Sequence, residues 1–179
     1  HRYIERGEAQ GLHQRYKCRI RNPWYTVPSV SSSPVGLLKR CHQFPRLILN
    51  KAKAFTTDTC YRIFPFGVPG EQLVGAFVNS LTALTAELEG RHYGGGVLEL
   101  VPSEIETLLV PVGPSEKSTL NGLDDSLRRG LPAEEVLRKQ DAAVLKPIGL
   151  TQDNCDDLLS AWRRLRSRRH RSQGDEEEC

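Results

Sequence analysis

The chain contains no methionine, no long apolar run and only 7% aromatic residues. Its first seventeen residues, HRYIERGEAQGLHQRYK, are polar and charged, which is not the pattern of a secretory signal. No stretch approaches the roughly 18 apolar residues that a membrane-spanning helix needs. With 38% hydrophobic residues among 179, the chain can still bury an ordinary core. We expect one domain, with or without an appendage, cut from a longer protein whose N-terminal part is missing.

Cysteine is present, but it lacks the spacing of a disulfide framework or of a metal site. The five cysteines are widely separated, and no CxxC or His/Cys pair has the spacing of zinc ligands. We therefore predict that no metal is bound and that the thiols are reduced, as is usual in the cytoplasm. The five are Cys18, Cys41, Cys60, Cys155 and Cys179.

Acidic residues are scarce in the first third of the chain. Residues 1–53 hold eleven Lys or Arg and two Glu, a net charge of +9, whereas residues 54–179 carry a net charge of −6. A local positive field of this kind indicates a polyanionic partner more strongly than the overall charge of +3 does. A second group of arginines precedes the acidic end DEEEC: Arg163, Arg164, Arg166, Arg168, Arg169 and Arg171.

The hydrophobic pattern predicts short strands around one central helix. YKCRIR, from Tyr16 to Arg21, alternates apolar and cationic residues and predicts a strand with one cationic face. Two further strands are predicted over 46–50 and 59–64, and VLELVP predicts another. Between them, GEQLVGAFVNSLTALTAELEG predicts one amphipathic helix with Gly90 as its C-terminal cap. Its apolar stripe is Leu73, Phe77, Leu81, Leu84 and Leu88.

Helices dominate the rest of the chain, with predicted stretches over 120–129, 132–145 and 151–169. The predicted fold class is therefore α/β, a mixed α+β domain with short strands and one central amphipathic helix, followed by an all-helical C-terminal tail. The predicted divisions are a linker over 1–15, the mixed domain over 16–112, a helical region over 113–171 and an acidic disordered tail over 172–179.

Three consecutive glycines, Gly94, Gly95 and Gly96, do not match either phosphate-binding template. No Lys-Ser/Thr follows them, as in a P-loop, and the order is helix, glycines, strand instead of strand, glycines, helix. The simpler interpretation is a turn between a helix and a strand. The alternative is a backbone that lies close to a ligand, beside Arg91, His92 and Tyr93.

No set of residues predicts catalysis by this chain. Asn22-Pro23-Trp24-Tyr25 is close to the Asn-Pro-Pro-Tyr of amino-methylating enzymes, but its third residue is Trp and only 21 residues precede it. The 21 residues before this motif contain no glycine-rich cofactor loop. We therefore predict no catalytic residue.

Basic, aromatic and hydroxyl residues are the remaining candidates for a binding site. Side chains that could neutralise phosphates are Lys17, Arg19, Arg21, Arg46, Lys51 and Lys53. Side chains that could stack on bases or read their edges are Trp24, Tyr25, Thr56, Thr57 and Asp58. Each of them alone could equally be a solvated charge or a packed aromatic, and only their clustering favours a nucleic-acid site.

Several blocks in this order resemble a known family. They are YKCRIRNPWYTVP, PRLILNKAKAFTTDT, LVGAFVNSLTALTAELEGRHYGGGVLELVPSEIETLLVP and the Arg-rich last helix. Together they resemble the C-terminal part of the Eco57I-like type II adenine-specific (N6) DNA methyltransferases of restriction–modification systems. The resemblance runs from Tyr16 to Arg169 and is most specific in the third block.

The resemblance implies a division of labour between two parts of an enzyme. The family's N-terminal part binds S-adenosylmethionine and carries the catalytic motif, so no cofactor is expected in this chain. The C-terminal part binds double-stranded DNA and selects the sequence around the adenine. On this reading 16–112 is a DNA target-recognition domain, with Arg91, His92 and Tyr93 near the bases and the three glycines as closely approaching backbone. The alternative is an interaction module that docks on a methylase or nuclease partner.

Overall fold

The computed structural model describes residues 1–27, 30–113 and 117–171. The chain divides into two compact units, His1–Ser31 and Ser32–Cys179. The predicted acidic tail over 172–179 lies outside the described residues. No helix in the described ranges is long and apolar enough to cross a membrane.

The first unit is helical. Helix α1 spans Arg2–Ala9, a 3-10 turn spans Leu12–Gln14, and α2 spans Tyr16–Arg19. The strand predicted from Tyr16 to Arg21 is therefore wrong. The amides of residues 18 and 19 both donate to the Arg15 carbonyl, at 2.8 and 2.9 Å, and the apolar side chains of Tyr16 and Ile20 are exposed, so no apolar strand face is buried.

The second unit begins with a three-stranded antiparallel sheet. The two-residue strand β1 (Ser31–Ser32) spans the division between the units in the sequence. It is followed by β2 (Val35–Leu38), β3 (Arg40–Cys41), β4 (Leu47–Leu49), β5 (Phe55–Thr56) and β6 (Cys60–Ile63). Strand β2 lies between β4 and β6. The strands predicted over 46–50 and 59–64 are confirmed as β4 and β6.

One face of this sheet is buried and the other is open. Val35, Leu37 and Leu47 pack into a core that also contains Val74 and Phe77. Because side chains alternate along a strand, Gly36 and its register partners Ile48 and Arg62 lie on the opposite face.

The single central helix predicted over 70–90 is two helices, α3 (Gly70–Phe77) and α4 (Ser80–Glu89). Val78 and Asn79 between them have extended backbone, and Asn79 caps α4 by accepting from the Thr82 amide at 2.8 Å. This break shifts the helical phase, so the predicted stripe does not form one face, and Leu88 is 62% exposed. Gly90 ends α4 as predicted, with extended backbone.

A second antiparallel sheet has the order β3, β8, β7. Strand β7 is Arg91–Tyr93 and β8 is Val97–Glu99, with the three glycines between them as a 3-10 turn. The strand predicted after the glycines is confirmed as β8. It carries the buried Leu98, which packs against Ala86 and Leu100.

The C-terminal part is helical, as predicted. It contains α5 (Pro102–Ile105), α6 (Lys117–Arg128), α7 (Ala133–Val144), a 3-10 turn (Lys146–Ile148) and α8 (Gln152–Arg171). The three long helices meet in a core around Trp162, Leu137 and Leu123. The mixed α/β class with a helical C-terminal end is confirmed.

Candidate nucleic-acid interface

In the first unit, the predicted phosphate-binding residues follow one another on a short helix and the turn after it. Lys17 and Arg19 are exposed on α2, and the Arg19 guanidinium lies 5.5 Å from the centre of the Tyr16 ring. Arg21 donates to the Thr26 carbonyl at 3.1 Å, which orders the turn. This unit therefore presents closely spaced cations that could follow a phosphate backbone.

Trp24 packs within its own unit. Its Nε1 donates to Glu8 Oε1 at 3.0 Å, and its ring lies against Gly7 so closely that a methyl group there would be 2.7 Å from Cη2. Tyr25 meets Trp24 edge-on with the ring centres 5.8 Å apart, and it is more exposed. Of the two, Tyr25 is the aromatic ring with more surface available to a base.

In the second unit, a loop after β4 presents two predicted lysines. Asn50 closes this loop: its Nδ2 donates to the Ser33 and Ala54 carbonyls, and its Oδ1 accepts from the Ala54 amide, all at 2.9 Å. Lys51 and Lys53 project from the closed loop and are exposed. The Asn50 bonds thus fix the backbone that positions both cations.

A groove of about 870 Å³ runs along β4 and brings three predicted residues together. Arg46, Lys51 and Thr56 line it, and α6 contributes Arg128, which was not predicted. The Thr56 Oγ1 is buried and has no hydrogen-bond partner among the described residues, so the groove holds an unsatisfied hydroxyl. The remaining candidates of this segment, Lys53, Thr57 and Asp58, do not line the groove.

The predicted residues on β7 bind the protein itself. Arg91 pairs with Glu104, with Nε and Oε1 2.6 Å apart, and His92 Nε2 lies 3.2 Å from the Glu87 carbonyl oxygen. Tyr93 is half-exposed, and its ring centre is 5.9 Å from the Arg40 guanidinium. Tyr93 also has a side-chain hydrogen bond with Arg91, so two arginines contact it.

Two other cations of this region are also paired with a carboxylate of the chain itself. Arg40 and Lys39 bind the two carboxylate oxygens of Glu99, at 2.5 and 3.0 Å. Their hydrogen bonds, first that of Arg40 and then that of Lys39, lower the pKa of Glu99 below its usual value. A carboxylate that stays ionised keeps both cations in place.

The glycine run approaches the last helix of the chain. Gly95 and Gly96 have φ of 80° and 67°, a backbone conformation that favours glycine. A methyl group on Gly96 would overlap the imidazole of His170. Space around Gly94 is open. A DNA-facing role for this backbone stays a prediction, since the close approach seen at Gly96 is to α8.

Arg169 explains why the glycine run lies against α8. The guanidinium is buried, and its Nε and Nη2 reach the two carboxylate oxygens of Glu87 at 3.0 and 2.7 Å. It also donates to the carbonyls of Gly96 and His42. Sequence reasoning missed this residue, because nothing in its type or spacing distinguishes it from the five arginines around it.

Cys41 lies beside this buried ion pair. Burial raises the pKa of its thiol to about 12, although Arg169 acts in the opposite direction. The thiol is therefore protonated at neutral pH and is a poor nucleophile. Within the described ranges, no three His, Cys, Asp or Glu side chains are grouped so that they could hold a metal ion.

Comparison with protein families finds a match over residues 1–145 to the type II methyltransferase M.Eco57I, C-terminal domain. The chain belongs to this family. No curated protein and no solved structure matches it. The M.Eco57I C-terminal domain match covers every residue predicted to contact DNA and ends just after α7.

Proposed function

We propose that the chain is the DNA target-recognition domain of a site-specific N6-adenine methyltransferase of a restriction–modification system. It binds double-stranded DNA and selects the sequence around the adenine. A separate catalytic part of the enzyme, with which the chain associates, binds S-adenosylmethionine and transfers the methyl group. Membership of the M.Eco57I C-terminal domain family supports a methyltransferase, and the surface chemistry supports DNA.

The observation that carries the DNA proposal is the difference between two sets of cations. In the described ranges, Lys17, Arg19, Arg46 and Lys53 are exposed and form no ion pair with a carboxylate. The cations of α7 and of the second sheet are paired. Unpaired, exposed cations are available to replace the counterions of DNA phosphates, which is the largest source of affinity for DNA.

The phosphate contacts that we propose are made mainly by the unpaired cations. Lys17, Arg19, Arg46, Lys51 and Lys53 neutralise phosphates, and Lys51 would exchange its exposed contact with Glu71, at 3.7 Å, for a phosphate. Of the residues predicted to lie near the bases, Tyr25, Thr56, Thr57, Asp58 and Tyr93 keep that role in this proposal, whereas Trp24, Arg91 and His92 bind side chains or backbone of the chain itself. The chain transfers no methyl group on its own. We also propose that it acts in the cytoplasm, since the described cysteines are free thiols.

Binding of a duplex to the chain at several salt concentrations tests this proposal. We expect log K to fall linearly with log salt, with a slope of about −0.9 for each phosphate neutralised. Binding that does not change with salt, or no binding at low salt, would refute the DNA proposal. Tight association with the catalytic part but no affinity for DNA would favour the interaction module instead.

A further inference from the structure

Phe66 is the most exposed large hydrophobic residue of the described chain. It is 99% exposed, and Phe64, two residues earlier, is 66% exposed. Both lie in the loop between β6 and α3. Gly67, with φ of 76°, turns the backbone immediately after Phe66. Two exposed phenylalanines in one short loop forfeit the free energy of burying their rings, and grouped apolar surface of this kind marks contact with a partner.

The loop that carries Phe66 is anchored at its base. Gly70, the first residue of α3, lies so close to the sheet that a methyl group on it would be 3.2 Å from Val35 Cγ2 and 3.6 Å from Leu49 Cδ1. The same methyl group would be 3.7 Å from Pro65 Cγ, which belongs to the loop. The exposed ring therefore projects from a packed support.

A cation lies beside the base of this loop. Lys51 Nζ lies 3.7 Å from Glu71 Oε1, in the first turn of α3, and Lys53 follows two residues later on the loop closed by Asn50. Arg62, the register partner of Gly36, lies on the open face of the sheet, and Phe64 follows the strand in the loop. Arg62 donates to the Thr56 carbonyl at 3.4 Å, at the edge of the groove.

We propose that Phe66 is a stacking wedge that enters the base stack of duplex DNA while Lys51 and Lys53 hold the phosphates. This inference rests on the DNA binding proposed above and adds a residue that contacts the bases. An aromatic ring can stack on any base, and apolar side chains that enter a base step keep it open. An opened step would in turn help an adenine to leave the helix.

A duplex with one abasic site tests the wedge, because its stack is already interrupted and the cost of opening it is largely removed. Anisotropy titrations compare this duplex with the intact duplex of the same sequence. We expect the chain to bind the abasic duplex at least about ten-fold more tightly, because the abasic site spares the unstacking that an intact step requires. Phe66→Ala should bind both duplexes equally, with an unchanged salt slope, and Phe66→Trp should keep the preference.

Leu88→Ala is the matched control, because it removes an exposed apolar side chain from α4. It should keep the preference for the abasic duplex. If the chain binds DNA with no such preference, or Phe66→Ala retains it, the wedge is refuted and the DNA proposal stands. If no duplex is bound at low salt, the DNA proposal itself fails. Loss of affinity for the catalytic part in Phe66→Ala, with the abasic preference intact, would make Phe66 a protein contact and also refute the wedge.

Discussion

Replacing two unpaired cations should flatten the salt dependence of DNA binding by a known amount. The variant is Arg46→Gln with Lys53→Gln, which removes two positive charges at and beside the groove. Each phosphate contact contributes about 0.9 to the slope of log K against log salt, so the slope should fall in magnitude by about 1.8. Between 50 and 200 mM salt the wild-type chain should therefore lose about ten-fold more affinity than the variant does. Gln suits position 53, whose φ of 51° disfavours a β-branched side chain.

The matched control removes two cations that already have partners. Arg138 lies 3.4 Å from Asp156 and Lys139 lies 2.9 Å from Glu135, so Arg138→Gln with Lys139→Gln changes the net charge equally. Anisotropy titrations of one fluorescent duplex over a salt series give all three slopes. The control should keep the wild-type slope. If both double variants change the slope equally, net charge decides the binding and the argument from unpaired cations is refuted.

Three predictions concern the scaffold. Glu87→Gln leaves the buried Arg169 without its carboxylate and should lower the free energy of unfolding in urea by about 3 kcal/mol; a change below about 1 kcal/mol would contradict the pairing. Gly96→Ala should cost about 1–3 kcal/mol, because of its positive φ and the overlap with α8, whereas Gly94→Ala, which meets open space, should change stability by less than about 0.5 kcal/mol. Burial raises the pKa of Asp141 above its usual 3.8, although its hydrogen bonds to Ser80 in α4 act in the opposite direction. Because the folded protein holds this proton more tightly than the unfolded chain does, the protonated Asp141 stabilises the fold, and this contribution is complete below pH 3.8. That contribution is lost as pH rises through the raised value, and the stability of the wild-type chain relative to Asp141→Asn should fall over the same range; a rise would contradict it.

The sequence predicts elements well where a buried core dictates the pattern. Strand β4 is visible as a short apolar run, Leu47–Leu49. Strand β6 instead alternates between the core, where Tyr61 and Ile63 pack, and the open face, where Arg62 lies, and this alternation is visible in the letters. The segment from Tyr16 to Arg21 has the same alternation but forms a turn of helix. Alternation over six residues does not reveal whether a partner strand exists, and here the first unit is helical.

The break between α3 and α4 has a signal that the apolar stripe conceals. Asn79 followed by Ser80 and, three residues after the Asn, Thr82 is typical of a helix start. In the structure the start is reinforced from a distance, since the Asp141 carboxylate accepts from the Ser80 amide at 2.7 Å. That contact joins residues 61 apart, and no local pattern predicts it.

The candidate site is predictable in its residue types and not in its pairings. Lys51 and Lys53 could be selected from the sequence because cations cluster there. Arg169 and Arg163 look alike in the sequence, yet one is buried against Glu87 while the other lies exposed, 3.6 Å from a Glu134 oxygen. Phe66 was missed because an isolated phenylalanine in a sequence is normally assigned to the core.

Selection of bound sequences from a random pool of DNA duplexes tests target recognition most directly. The chain is incubated with the pool at low salt, and the bound duplexes are amplified, selected again and sequenced. If the chain is a target-recognition domain, one short sequence that contains an adenine should be enriched over successive rounds. A bound pool as random as the starting pool, or no retained DNA, would contradict the account.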